Sequence, residues 1–308
     1  MGEEGTTFIF GELPYEGPLA ARLAARPAEG TLALYWLGQA GFLVDTGAAR
    51  LLIDPYLSDA LAIKYRDRGF SHERMIPAPI AAEDLPPIDG VLCTHHHTDH
   101  MDGETLQRLA ARFPAAGFIV PAASLTTARE RIGAEESRIL GVDAGQRIDF
   151  GGGMRLTVTR AAHEALARDA AGRHVFLGYG LEAQGVRLFH SGDTVPFDGQ
   201  ADEIRAFAPD LALLPVNGRS EALRAAGIAG NFTLDEAVDL AVTCEVPFVL
   251  AHHYGMFAFN TVAPETIDAR AEARSDETNL ARARIGIEYR LGKGAAGLRG
   301  MTAGLEKR

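Results

Sequence analysis

The sequence predicts a mixed α/β domain in which β-sheets are faced by helices. Hairpin strands with apolar runs alternate with strand–helix units, and no linker separates them. The size and composition agree: 308 residues, 47% hydrophobic and 23% charged, suffice for a full core without disulfide or metal staples.

Residues 1–30 read as an N-terminal extension packed on the core, with a short helix around 18–25. Residues 31–308 read as a single domain. A hairpin opens it, with strands at 32–37 and 41–44, a turn at Asp45-Thr46-Gly47, and a third strand at 51–53 ending in Asp54. A loop rich in proline and charge (58–87) leads to an apolar strand at 88–93. Leu106, Leu109, Ala110 and Phe113 then fall at helical spacing, with Asp102 as the N-cap. Further strands are predicted at 117–120 and 154–159, the second following the Gly151-Gly152-Gly153 turn. After it come a hairpin turning at Gln184-Gly185 and a strand at 211–216. Thr233-Leu234-Asp235-Glu236 is a capping box that opens an apolar-striped helix. Strands at 246–251 and 285–291 finish the pattern, with a helix opening at Pro264 between them.

The 41 acidic and 30 basic residues leave a net charge of −11, which disfavours phosphate backbones, so no nucleic-acid partner is expected. All but three of the bases are arginine, so a local anion-gripping pocket stays open. No apolar run approaches the roughly 20 residues of a bilayer crossing, and no membrane partner is expected. The acidic start, Met1-Gly2-Glu3-Glu4, lacks the basic-then-apolar pattern of a secretory signal. Cys93 and Cys244 are far apart and form no C-x-x-C pair, which argues against a disulfide framework. Together these point to the cytoplasm.

Six of the ten histidines fall in two clusters, Thr94-His95-His96-His97-Thr98-Asp99-His100 and His252-His253. Each follows a predicted strand, where loops from a sheet edge converge. In the first, His95 and His97 point the same way, while Asp99 and His100 close the turn toward a second centre. Imidazole and carboxylate together suit zinc, iron or manganese rather than calcium. His163, Asp193 (in Ser191-Gly192-Asp193-Thr194) and one of His252 and His253 also follow strands. Together they complete seven ligands, the number a two-metal hydrolytic site uses. Cys93 is expected to be a small buried side chain beneath the loop.

The H-x-H-x-D-H run, followed by His, Asp and His after later strands, resembles the metallo-β-lactamase superfamily. Asp54-Pro55-Tyr56-Leu57-Ser58-Asp59, Leu214-Pro215-Val216-Asn217-Gly218-Arg219 and His253-Tyr254-Gly255-Met256-Phe257 look like its L-ascorbate-6-phosphate lactonase branch. The resemblance spans about 34–260 and implies a four-layer αββα sandwich with a di-metal site at one edge. Carried over residue by residue, it places His95, His97 and His163 on one metal. Asp99, His100 and His253 take the second, and Asp193 bridges. His253 is preferred to His252 because Tyr-Gly follows it, as in the family. The ions implied are two divalent metals, zinc or manganese, with iron a further candidate. Asp54 matches the superfamily's early aspartate and is expected to hydrogen-bond a ligand imidazole. His96 sits where many relatives carry Asp, at a position that needs no ligand.

The function so implied is hydrolysis of a lactone or related ester by a metal-bridged hydroxide, with Asp99 and His253 as the catalytic pair. The substrate is expected to be a small anion, a sugar phosphate among the candidates. Asn217 and Arg219 are the expected substrate-binding residues, since Arg can clamp a carboxylate or phosphate through two donors. The resemblance also implies a homo-oligomer. A phosphodiesterase or RNA-processing nuclease would use the same ligands, and the acidic charge weighs against it. A flavin-linked di-iron oxidoreductase would carry Glu where His97 stands. A non-catalytic metal-binding protein would not need all seven positions filled. The roles of His72-Glu73-Arg74, His174 and His190 stay open.

Overall fold

Alternating apolar patterns build two sheets that share one core. The computed structural model describes residues 7–273 and 278–294, so residues 1–6 and 295–308 of the expected extension and domain lie outside the described residues. With strands numbered in chain order, the first sheet contains β1 (Thr7–Pro14), β2 (Thr31–Gly38), β3 (Gly41–Asp45), β4 (Arg50–Ile53), β5 (Gly90–Leu92), β6 (Gly117–Pro121), β7 (Ile139–Val142) and β15 (Ile287–Gly294). Its spatial order is β1-β15-β2-β3-β4-β5-β6-β7. The second holds β8 (Arg147–Gly151), β9 (Met154–Arg160), β10 (Leu177–Ala183), β11 (Val186–His190), β12 (Leu211–Pro215), β13 (Phe248–His252) and β14 (Asn279–Arg282). Its order is β14-β13-β12-β11-β10-β9-β8.

The inner faces meet in a core that includes Trp36, Phe42, Ile53, Leu156, Tyr179, Leu213 and Leu250. A second apolar layer lies outside the first sheet. There Leu106, Leu109, Ala128 and Ile132, from helices Gly103–Arg112 and Leu125–Ile132, pack on Leu52, Val91, Phe118 and Val120. On the far side, helix Leu234–Thr243 packs against β12 and β13. The layers run helix, sheet, sheet, helix, which is the expected sandwich. At roughly 1.5–3 kcal/mol for each fully buried large apolar side chain, this shared core dominates the stabilisation.

The local signals hold where they are strongest. Asp102 Oδ1 accepts the Glu104 N–H at 3.2 Å, and the Thr233–Glu236 capping box forms with both reciprocal bonds. Gln184 and Gly185 both take positive φ, the geometry of a two-residue hairpin turn, and pair Ala183 with Val186. The N-terminal segment differs from expectation. Its helix is confined to Leu19–Arg22, and Thr7–Pro14 pairs antiparallel along the whole of β15 as the edge strand of the first sheet. Phe8 and Phe10 reach across to the ring of Phe248, with centroids 5.3 and 5.1 Å away. This long-range pairing supplies the strand that the short local run Phe8-Ile9-Phe10 does not announce. Among the described residues, no helix is long and apolar enough to cross a membrane. Cys93 and Cys244 are both buried and free.

Candidate metal centre

The site forms where the ends of five strands from both sheets converge. Asp54 follows β4, the 94–100 loop follows β5, His163 follows β9, Asp193 follows β11 and His253 follows β13. The strands β4 and β5 run parallel, as do β11, β12 and β13. Each sheet therefore delivers its loops to the same edge. Two bonds stitch the sheets together behind the site. The Tyr179 hydroxyl donates to Cys93 O at 2.8 Å, and Leu177 N–H donates to Thr94 O at 3.1 Å. Gly192 is required there. Its φ is +62°, and a Cβ would lie 2.4 Å from Leu177 O and 3.1 Å from Thr94 Cβ.

The predicted ligands come together as three overlapping clusters whose ligand atoms lie within 4.8 Å of one another. They are His95, His97 and His163; His95, His100 and Asp193; and Asp99, His100 and His253. Asp193 lies between the groups, its Oδ2 at 3.1 Å from His253 Nε2, 3.2 Å from His100 Nε2 and 3.8 Å from His163 Nε2. His253 reaches the site and its neighbour does not. His252 points the other way, its ring 4.9 Å from that of His190 and edge-on to Phe42 at 5.4 Å. A positive φ of 61° at His253 turns its side chain into the cluster.

Neighbouring groups fix the imidazole orientations. Buried Asp54 accepts His100 Nδ1–H at 2.6 Å, Thr94 N–H at 2.7 Å and Thr94 Oγ1–H at 2.6 Å. Thr94 Oγ1, having given its proton to Asp54, accepts from His95 Nδ1 at 3.1 Å. The His163 Nδ1–H donates to Gly230 O at 3.0 Å. With Nδ1 engaged in this way, Nε2 is the atom that each of the three rings turns toward the centre. The Phe176 ring packs on His95, His97 and His163 at 5.2, 5.8 and 5.4 Å.

Sequence reasoning missed Gln39. It sits in the β2–β3 turn with φ +52°, where Trp36 Nε1–H donates to its carbonyl at 2.9 Å and His253 N–H at 3.0 Å. Its amide donates to Asp99 Oδ2 at 2.8 Å. Its one sequence cue is the Gly38-Gln39-Ala40-Gly41 turn, which carries no chemical signature. Gln39, Asp54 and His253 all hold positive φ without being glycine. Such backbone costs on the order of 1–3 kcal/mol per residue and concentrates where function needs it.

The electrostatics fit a divalent cation. Burial lowers the pKa of His95 and His163, and burial with the neighbouring His163 pushes His97 down to about 3. Those rings are neutral at physiological pH, the form that binds metal. Burial pushes the carboxyls of Asp193 and Asp99 up, but the imidazoles of His100 and His253 outweigh it and hold both below the usual range. His95 Nε2, His100 Nε2 and Asp193 Oδ1 are buried with no hydrogen-bond partner. Orphaned buried groups of this kind are costly, and divalent ions held among these residues would satisfy all three.

The expected substrate residues are placed differently. Arg219 grips Glu236 through two bonds of 2.6 Å and donates to Asn231 O at 3.0 Å. Asn217 is clasped between Asn231 and Asn260, at 3.0 Å on each side. Neither is among the residues that line the cavity beside the cluster, although Asn217 bonds Asn260, which is. Arg219 acts on the site at one remove: it braces the turn whose Gly230 carbonyl orients His163. That cavity, of about 280 Å³, is instead walled by Lys64, Arg131, Tyr65, His72, Phe257, Phe259 and Asn260. Arg131 is itself held by the carbonyls of His96 and Met101. Burial drives the Cys93 thiol well above its ordinary range, so it is no thiolate nucleophile. His190 bonds Ala40 O and Gly192 N–H, and His174 pairs with Asp143 at 2.8 Å; both are structural.

The Beta-lactamase superfamily domain model matches residues 49–254, two-thirds of the chain and the span that contains every residue of the cluster. The chain belongs to the metallo-β-lactamase superfamily. A curated metal-dependent hydrolase of Aeropyrum pernix is 27% identical over 272 residues, covering 83% of this chain and 96% of that protein. Among solved structures, a metallo hydrolase from Ignicoccus hospitalis superposes with a TM-score of 0.61 at 19% identity, over 84% of this chain and 98% of its own. An isothiocyanate hydrolase from Delia radicum gut bacteria superposes with a TM-score of 0.63 at 17% identity, over 81% and 95%. The two structures share the fold. The family match, the relative and the His/Asp cluster together support a metal-dependent hydrolase of this fold.

Proposed function

We propose that the chain hydrolyses a lactone or related carboxylic ester of a small anionic molecule, using two divalent ions. The observation that carries this reading is the pairing of the seven-residue cluster with a 280 Å³ cavity whose wall holds two cations, Lys64 and Arg131. A cavity of that size suits a small molecule rather than a polynucleotide. His95, His97 and His163 would hold one ion, Asp99, His100 and His253 the other, and Asp193 both. Zinc and manganese suit this donor set, as does iron. When bound, two such ions make water acidic near neutral pH and polarise the carbonyl it attacks.

The chain supplies the rest. Lys64 and Arg131 place the anionic end, and the rings of Tyr65 and Phe259 exclude water from the other. Asp99, oriented by the Gln39 amide, takes the proton of the attacking water and gives it to the leaving oxygen as the acyl C–O bond breaks. His253, held through its backbone by Gln39, stands 3.9 Å from that carboxylate. The test is a panel of lactones and phosphodiesters on metal-loaded protein, with wild type and Lys64→Ala compared. Turnover of anionic lactones, reduced about tenfold or more by Lys64→Ala, is the expected result. Turnover confined to phosphodiesters, or none on any ester, would overturn the reading.

A further inference from the structure

His72 belongs to none of the metal clusters, yet it lines the cavity beside them. Its ring is boxed by aromatic neighbours: stacked on Tyr65 at 4.3 Å, 4.7 Å from Phe259 and 5.1 Å from Phe257. Its Nδ1 lies 2.9 Å from Phe70 O. A carbonyl oxygen can only accept, so Nδ1 carries the proton and Nε2 presents a lone pair. Burial lowers the pKa of the ring, and the nearby Lys64 ammonium adds to this, so it stays neutral at physiological pH. On its far side His72, with Tyr65, also lines an outer cleft of about 650 Å³ bordered by Arg66, Arg74 and Ser71. The stacked pair is thus the partition between the two spaces.

We propose that His72 is a specificity-determining residue that accepts a hydrogen bond from a substrate hydroxyl, so that the preferred substrate is a hydroxylated acid derivative. The packing holds the ring, the Phe70 carbonyl fixes the tautomer, and the second ring nitrogen of His72 is an acceptor. Its complement is a hydroxyl or an N–H, and among small acid derivatives polyhydroxy acids supply the former in number. Opening a hydroxylated lactone yields such an acid, so the proposal deepens the hydrolase reading above and rests on it for the substrate class.

The test measures binding rather than turnover. Calorimetry on zinc-loaded protein compares D-gluconate with hexanoate, a six-carbon acid without hydroxyls. His72→Phe keeps the stacking on Tyr65 and Phe259 but removes the acceptor; His72→Gln returns a carbonyl acceptor. A neutral hydrogen bond is worth about 0.5–1.5 kcal/mol net, so His72→Phe should weaken gluconate binding roughly two- to tenfold. Hexanoate and the metal content should not change, and His72→Gln should recover part of the loss. Equal weakening of both acids, no change in either, or no detectable gluconate binding by wild type would overturn the proposal. Turnover of gluconolactone by wild type is followed in parallel. A His72-dependent preference without turnover would sink the esterase reading alone; turnover without the preference would sink this one alone.

Discussion

Asp54 to Asn is the substitution from which the site's construction can be measured. Asp54 is fully buried and accepts three bonds of 2.6–2.7 Å, two from Thr94 and one from His100. Its φ of +45° is one that Asn tolerates better than other side chains, so the replacement leaves the backbone in place. The amide keeps one oxygen and turns the other acceptor into a donor. That donor must face Thr94 or the Nδ1–H of His100, so at least one of the three bonds is lost. If His100 loses its partner, Nδ1 no longer fixes the tautomer that aims Nε2 at the centre. Loss of such a supporting partner usually costs 10–100-fold in metal affinity, about 1.4–2.7 kcal/mol. A buried donor left unpaired costs roughly 1–3 kcal/mol of folding stability as well. In a chain of this size that lowers the melting temperature by a few degrees per kcal/mol. Competition with a chelator of known affinity reads the first quantity, and thermal unfolding of the metal-free protein reads the second. Unchanged metal affinity together with unchanged stability in a folded Asp54→Asn protein would refute the reasoning, because none of the three bonds to Asp54 would then be supporting the site.

Three further outcomes follow from the geometry. Asp193→Ala should lose most activity and at least one of about two bound ions, because its carboxylate stands between the clusters; metal analysis showing full occupancy would contradict this. Arg219→Ala should lower turnover of anionic and neutral substrates alike and weaken metal binding through His163, since its guanidinium braces the 230–231 turn; a loss confined to anionic substrates would restore Arg219 as the charge reader. Glu236 is held below its ordinary pKa chiefly by Arg219, so their pair should stabilise the fold by about 1 kcal/mol above pH ~4.5. That contribution should disappear as pH falls through the depressed pKa, and Glu236→Gln should close the gap to wild type in acid. A stability difference from Glu236→Gln that grows below pH 4 would reverse the sign of the argument.

Much of this protein is legible in its sequence because the signals are local. The cap at Asp102, the capping box at Thr233 and the Gln184-Gly185 turn are decided by residues within a few positions of one another. The spacing of His95, His97, Asp99 and His100 likewise reports their convergence, since a loop after a buried strand has few ways to present alternate side chains. What tertiary structure decided depends on contacts across long separations. The edge strand Thr7–Pro14 exists through pairing with Ile287–Gly294, at the opposite end of the chain. The choice between His252 and His253 turns on where β13 ends and on a positive φ, neither visible in two adjacent histidines. Arg219 shows the same limit. Its Asn-Gly-Arg setting suggests an anion grip, but Glu236 lies on the neighbouring helix and takes both donors. The cavity wall of Lys64, Tyr65, His72 and Arg131 comes from the helices Ala60–Lys64 and Leu125–Ile132 and the segment after the first of them, which share no sequence signature and meet only in the folded chain. Local propensity and spacing set what chemistry is present; only packing, which satisfies some polar groups and leaves others free, sets where that chemistry points.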